Sequence, residues 1–115
     1  MRETTNGILA RNFSDEFIWL MKNRMVASHY KYGWVDQTYP ELAQAVKSIP
    51  TRLERYLETG NREWLVDIAN FAMIEFMCPS HPNAHFRGTD SQESPGLTGG
   101  ISINELMREM EQKGD

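Results

Sequence analysis

The sequence predicts an all-α fold, a small antiparallel bundle of about four helices with a long irregular loop before the last. Three observations predict it. Apolar residues recur at steps of three and four along most of the chain, the period of one face of a helix. Capping residues and glycines punctuate those stretches where helices should start and stop. No stretch alternates apolar and polar residues convincingly enough to make a strand.

Residues 1–13 are polar and mixed in charge and read as a flexible N-terminal segment ahead of a helical core over 14–78. The first helix starts after Ser14, a good N-cap, with Asp15 and Glu16 in the first turn to meet the helix dipole. Phe17, Leu20, Met21, Met25 and Ser28 share one face, and Gly33 is the expected stop. A second helix is expected from about Thr38, which with Glu41 makes a T-x-x-E capping box around Pro40. Its stripe is Leu42, Val46, Ile49, Leu53 and Leu57. Pro50 interrupts it by removing a backbone donor, and Thr51 with Glu54 offers a second box, so a break and restart are expected there. Gly60 ends this segment.

The third helix follows at once, with Asn61 as N-cap and Pro79 beyond its end. It is apolar on nearly every side, through Trp64, Val66, Ile68, Phe71 and Ile74, which marks a central helix. The short turn folds it back on its predecessor. Residues 79–100, rich in Pro, Gly and Ser, read as the irregular loop, and 101–115 as a last helix capped by Ser102 and Glu105, with Leu106 and Met110 on its apolar side.

Composition narrows function. A single domain is expected at 115 residues. The net charge of -4 argues against a general nucleic-acid binder, which needs a basic face. Cys78 is the only cysteine, so no internal disulfide forms and a reduced, cytoplasmic setting fits. The 64–77 run is too short and interrupted for a membrane span.

Three groups of residues carry possible chemistry. Glu63, Asp67 and Asn70 share a helix face at spacings of four and three, and Glu54 and Glu58 lie near the end of the preceding helix. Brought together across the hairpin, the four carboxylates would suit magnesium, a hard cation that takes oxygen ligands. The glutamates read equally as solvated surface residues. Asp67 and Asn70 differ, because their helix is apolar elsewhere and a buried carboxylate needs a partner or a metal. The second group is "SHYKYGW", residues 28–34. His29 and Lys31 alternate there with Tyr30, Tyr32 and Trp34, a pairing of stacking rings and cations that suits a nucleotide or an ordinary helix end packed on the core. The third is Cys78, His81 and His85, spaced C-x2-H-x3-H, which invites zinc but lacks the fourth protein ligand of a structural site.

With the helices placed, residues 17–77 resemble the small phage- and bacteria-encoded members of the MazG-like all-α nucleotide pyrophosphohydrolase group. The resemblance rests on "KYGW" ending the first helix, "RLERYLETGN" ending the second and "DIANFAM" on the third. It implies hydrolysis of nucleoside triphosphates to monophosphate and pyrophosphate, with magnesium held by E-x-x-E on one helix and E-x-x-D on the next. It also implies assembly as dimers or tetramers. Asp67 matches the last position of the second motif. Three residues before it stands Trp64, with Glu63 one residue off, and the acidic positions of the first motif fall on about Ser48, Ile49 and Arg52. The expectation is therefore a catalytically degenerate, phage-type binding module for a nucleotide or a protein. Lys31, Trp34 and Asn70 would contact the nucleotide, and Asp67, Glu63, Glu54 and Glu58 would remain as candidate magnesium ligands. The alternative is an active magnesium-dependent pyrophosphohydrolase with a rearranged carboxylate site.

Overall fold

The computed structural model describes residues 2–41 and 44–89. Among them the chain is all-helical, with five helices and no strand: α1 (Thr5–Asn12), α2 (Asp15–Tyr32), α3 (Val35–Thr38), α4 (Ala45–Thr59) and α5 (Glu63–Met77). Ser14–Ala84 forms one compact unit that carries α2 to α5, and α1 belongs to a second. Leu42 and the expected last helix, with Ser102, Glu105, Leu106 and Met110, lie outside the described residues.

Local chemistry sets most helix ends. Ser14 caps α2, its Oγ accepting from the Phe17 N–H at 3.0 Å. Gly33 stops it at φ +89°, a left-handed value that a side chain would disfavour, and donates to the His29 carbonyl at 2.8 Å. Gly60 closes α4 in the αL conformation, donating to the Tyr56 carbonyl at 2.7 Å. Asn61 Oδ1 then accepts from the Glu63 N–H at 3.0 Å and starts α5.

Four expectations are corrected. The segment expected to be flexible holds a helix, α1, capped by Thr4 Oγ1 accepting from the Gly7 N–H at 3.0 Å. Thr38 caps nothing: it ends α3, and its hydroxyl donates back to the Trp34 carbonyl at 3.2 Å. The chain then turns through a cis Tyr39–Pro40 peptide before α4 starts at Ala45, after Gln44 and with no side-chain cap. Pro50 does not break α4, which runs unbroken through it, so Thr51 and Glu54 sit inside a helix and not at a restart. A proline in a helix interior forfeits one backbone hydrogen bond, and here the packing of α4 on α5 outweighs that loss.

The fourth correction concerns the inner face of α4. Ala45, Ile49, Arg52 and Tyr56 are the sheltered positions, while Val46, Leu53 and Leu57 of the expected stripe are exposed. The helix is rotated by roughly one position, so that Arg52 joins the packed side.

Helices α4 and α5 form a tight hairpin, and α2 lies against α5. Ser14 and Phe17 share a hollow with Arg62 and Leu65, and Trp34 shares another with Met77, so α2 and α5 run in the same direction. The three long helices therefore alternate up, down and up, as in an antiparallel bundle. Among the described residues the buried apolar residues are only Tyr39, Ala45 and Val66.

Candidate functional site

A groove of about 180 Å³ opens where α2, α4 and α5 meet. Arg24, Ser28 and Lys31 line it from α2, Arg52 from α4, and Asp67 and Asn70 from α5. Each arrives by helical spacing: Arg24, Ser28 and Lys31 step by four and three along α2, as Asp67 and Asn70 step by three along α5. The groove gathers three cations against one carboxylate, although the chain as a whole carries a net charge of -4.

Asn70 is the buried polar residue of the site, 4% exposed. Its Nδ2 donates to the Met21 carbonyl at 3.1 Å and ties α5 to α2. Its Oδ1 is buried and has no hydrogen-bond partner, and the same holds for Arg52 Nε on the facing helix. The Arg52 guanidinium lies over the Phe71 ring, 4.7 Å from its centroid. That cation–π contact holds the charge inside the groove wall without using its N–H groups. A shielded donor or acceptor left unpaired costs about 1–3 kcal/mol, and two such atoms lie beside this groove.

The carboxylates are arranged around a different cation from the one expected. Arg24 bridges the two on α5: Nη1 lies 3.0 Å from Glu63 Oε1, and Nη2 lies 3.2 Å from Asp67 Oδ1. Its Nε also donates to Asp67 Oδ1 at 3.3 Å. Glu58 approaches Arg55 of its own helix at 3.8 Å, and Glu54 is exposed on that helix. Glu63 and Asp67 thus come together, whereas no group of three Asp, Glu, His or Cys side chains able to hold a metal forms among the described residues. Arg24 thus supplies the positive charge between Glu63 and Asp67. His81 Nδ1 accepts from the Asn83 N–H at 3.0 Å.

Of the residues expected to contact a nucleotide, Lys31 and Asn70 meet in the groove. Trp34 does not join them. Gly33 turns the backbone after α2, and the indole packs on His29 with ring centroids 4.4 Å apart, lining a separate hollow with Tyr30 and Met77. Arg24 and Arg52 are the site residues that sequence reasoning missed. The sequence shows Arg52 only as a cation at an expected acidic position, on a face that shows itself as inward only once α4 is packed.

At the far end of α5, Glu75 gathers the chain around its carboxylate. It accepts from the Tyr39 hydroxyl, from the Ser80 N–H at 2.8 Å and hydroxyl at 2.7 Å, and from the His81 N–H at 3.4 Å. The Tyr39 hydrogen bond, followed by that of Ser80, holds the Glu75 carboxyl down to about 2. Burial, with the hydrogen bond to Glu75 and that residue's charge, pushes the Tyr39 phenol above its usual 10.0. These groups lie apart from the groove lining and fasten the connection before α4 to the end of α5.

No described helix is long and apolar enough to cross a membrane. Comparison of the chain with protein-family models, with curated proteins and with solved structures gives no match.

Proposed function

We propose that the groove between α2, α4 and α5 binds a nucleotide, and that the chain acts as a binding module on a catalytically degenerate MazG-like scaffold. The reading is carried by one observation, the convergence of Arg24, Lys31 and Arg52 on a groove containing the buried, half-satisfied Asn70 amide. Guanidinium and ammonium groups suit phosphate oxygens, with Lys31 at the groove's edge meeting them as a point charge. The Asn70 carbonyl oxygen suits an N–H or O–H donor of the base or sugar. A volume of about 180 Å³ takes one part of such a ligand, the remainder lying along the open surface. Binding without turnover follows from Arg24, which neutralises Glu63 and Asp67 where a hydrolase of this kind would place magnesium.

The test is calorimetric titration of the full chain with the common deoxynucleoside triphosphates, alone and with magnesium, alongside a pyrophosphate-release assay. The expected result is binding that magnesium does not require, that weakens as salt is raised, and that yields no pyrophosphate. Lys31→Ala and Arg52→Ala should each weaken it about 10- to 100-fold, the value of a charge-assisted contact. Absence of binding overturns the reading. Magnesium-dependent pyrophosphate release that disappears in Asp67→Ala replaces it with the active pyrophosphohydrolase.

A further inference from the structure

A second hollow, of about 460 Å³, opens where the end of α2, the turn into α3 and the end of α5 meet. Local chemistry builds it. Gly33 turns the backbone at φ +89°, and Trp34 folds back on His29 with ring centroids 4.4 Å apart. Tyr30 meets the same imidazole edge-on at 5.5 Å, so the three rings make one contiguous wall. Met25 and Met77 also line the hollow, and their flexible, polarisable thioethers adapt to varied shapes. Trp34 is 63% exposed and Tyr30 83%, which leaves ring surface of the kind that usually packs in a core or an interface open to a ligand.

Charge decides what such a hollow takes. Lys31 lines the groove with Arg24 and Arg52, and no Lys or Arg lines this hollow. Its one carboxylate is Asp36, in the first turn of α3. Asp36 is exposed and makes no hydrogen bond or ion pair among the described residues. Electron-rich ring faces and an unpaired carboxylate both attract positive charge, and apolar walls favour a cation that sheds its water easily. An anion would meet Asp36 as a like charge, and an uncharged molecule would leave it without a counter-charge.

We infer that this hollow binds a small organic cation, an alkylated ammonium whose charged end sits among Trp34, Tyr30 and Asp36 and whose apolar remainder lies along Met25 and Met77. The volume falls within the roughly 300–1,000 Å³ of small-ligand sites, so such a molecule enters whole. A primary ammonium holds its water more firmly and has no methyl groups to lay on the rings, so the site favours the trimethylated nitrogen. The assignment is independent of the nucleotide groove, whose ligand carries the opposite charge.

Nuclear magnetic resonance of the isotope-labelled full chain reads the site directly, because Trp19, Trp34 and Trp64 give separate indole N–H signals. Choline at millimolar concentration should move the Trp34 signal and leave those of Trp19 and Trp64 in place. Its uncharged isostere, with a tert-butyl group for the trimethylammonium, should bind at least about fivefold more weakly. Benzyltrimethylammonium, with a larger apolar part, should bind about tenfold more tightly than choline. Trp34→Leu, followed through the Gly33 amide, should weaken choline binding at least about fivefold. Asp36→Asn, a surface change that keeps the test decisive even if Trp34→Leu fails to fold, should weaken it about threefold. No saturable movement of the Trp34 signal with either ammonium up to tens of millimolar overturns the inference. Equal binding of the isostere does so too, since the hollow would then select shape alone, as does undiminished choline binding in Asp36→Asn. A glycine-flanked trimethyllysine peptide that binds about tenfold or more tightly than choline would make the occupant a modified protein, and overturns the assignment to a free cation.

Discussion

Arg24 is the residue on which the polar arrangement of α2 and α5 turns. The Asp67 side chain is only 15% exposed, and the Arg24 guanidinium pairs with it at 3.2 Å. Arg24→Ala leaves that carboxylate sheltered and alone. Such a loss is expected to cost about 1–2 kcal/mol, and to lower the melting temperature of a domain this size by about 5–10 °C. Asp67→Asn should cost about half as much, because Arg24 keeps Glu63 at 3.0 Å. Arg24→Met combined with Asp67→Leu should recover most of the stability, since matched apolar residues replace a sheltered ion pair at little cost. Thermal melts of the four proteins check the order. At this scale the sequence disclosed part of the site. Asp67 and Asn70 stood out as polar residues in an apolar helix, and Lys31 as a cation among aromatic rings. Arg24 and Arg52 did not stand out, because long cations beside an apolar stripe look like ordinary surface residues until a neighbouring helix supplies their partners.

Helix α4 is held together by its packing at the cost of its own local preferences. Pro50 removes a backbone donor from the helix interior. Pro50→Ala is therefore expected to stabilise the protein by about 1–3 kcal/mol, read as a raised midpoint in urea with an unchanged slope. Gly60 works in the opposite sense. Its φ of +70° lies in the left-handed region, while a Cβ placed there would touch nothing within 4 Å. Gly60→Ala should thus cost about 1 kcal/mol through backbone strain alone, on the same urea measurement. The contrast explains what was legible. Stops such as Gly33 and Gly60, and starts such as Ser14 and Asn61, act through the backbone within a few residues, so sequence suffices to place them. Pro50 and the Thr38 box pointed to a break and a start that the fold overrode. Which stripe of α4 faces inward was set by its neighbour, and Ala45 and Arg52 took the place of Val46 and Leu53.

Across the whole molecule, the Glu75 cluster should appear in the pH dependence of stability. The Glu75 carboxyl is held near 2 in the folded chain against an ordinary 4.5, so its contribution is full above about 4.5 and is lost as the pH falls towards 2. Tyr39 is shifted upward from 10.0, so its contribution is full below 10 and is lost as the pH rises beyond it. Melting temperature against pH should form a plateau with two falling limbs. Glu75→Gln should flatten the acid limb, and Tyr39→Phe the alkaline one. The sequence by itself determined that this chain is helical, where most of its long helices begin and end, and which helix carries Asp67 and Asn70. Those outcomes depend on period, caps and glycines, all of which act over a few residues. Only the tertiary structure decided that Arg24 holds Glu63 and Asp67, that Arg52 turns into the groove with Lys31 and Asn70, and that Trp34 stands apart. Those outcomes depend on the rotation of one helix against another, which is settled by apolar burial summed over whole faces and is written in no single stretch of residues.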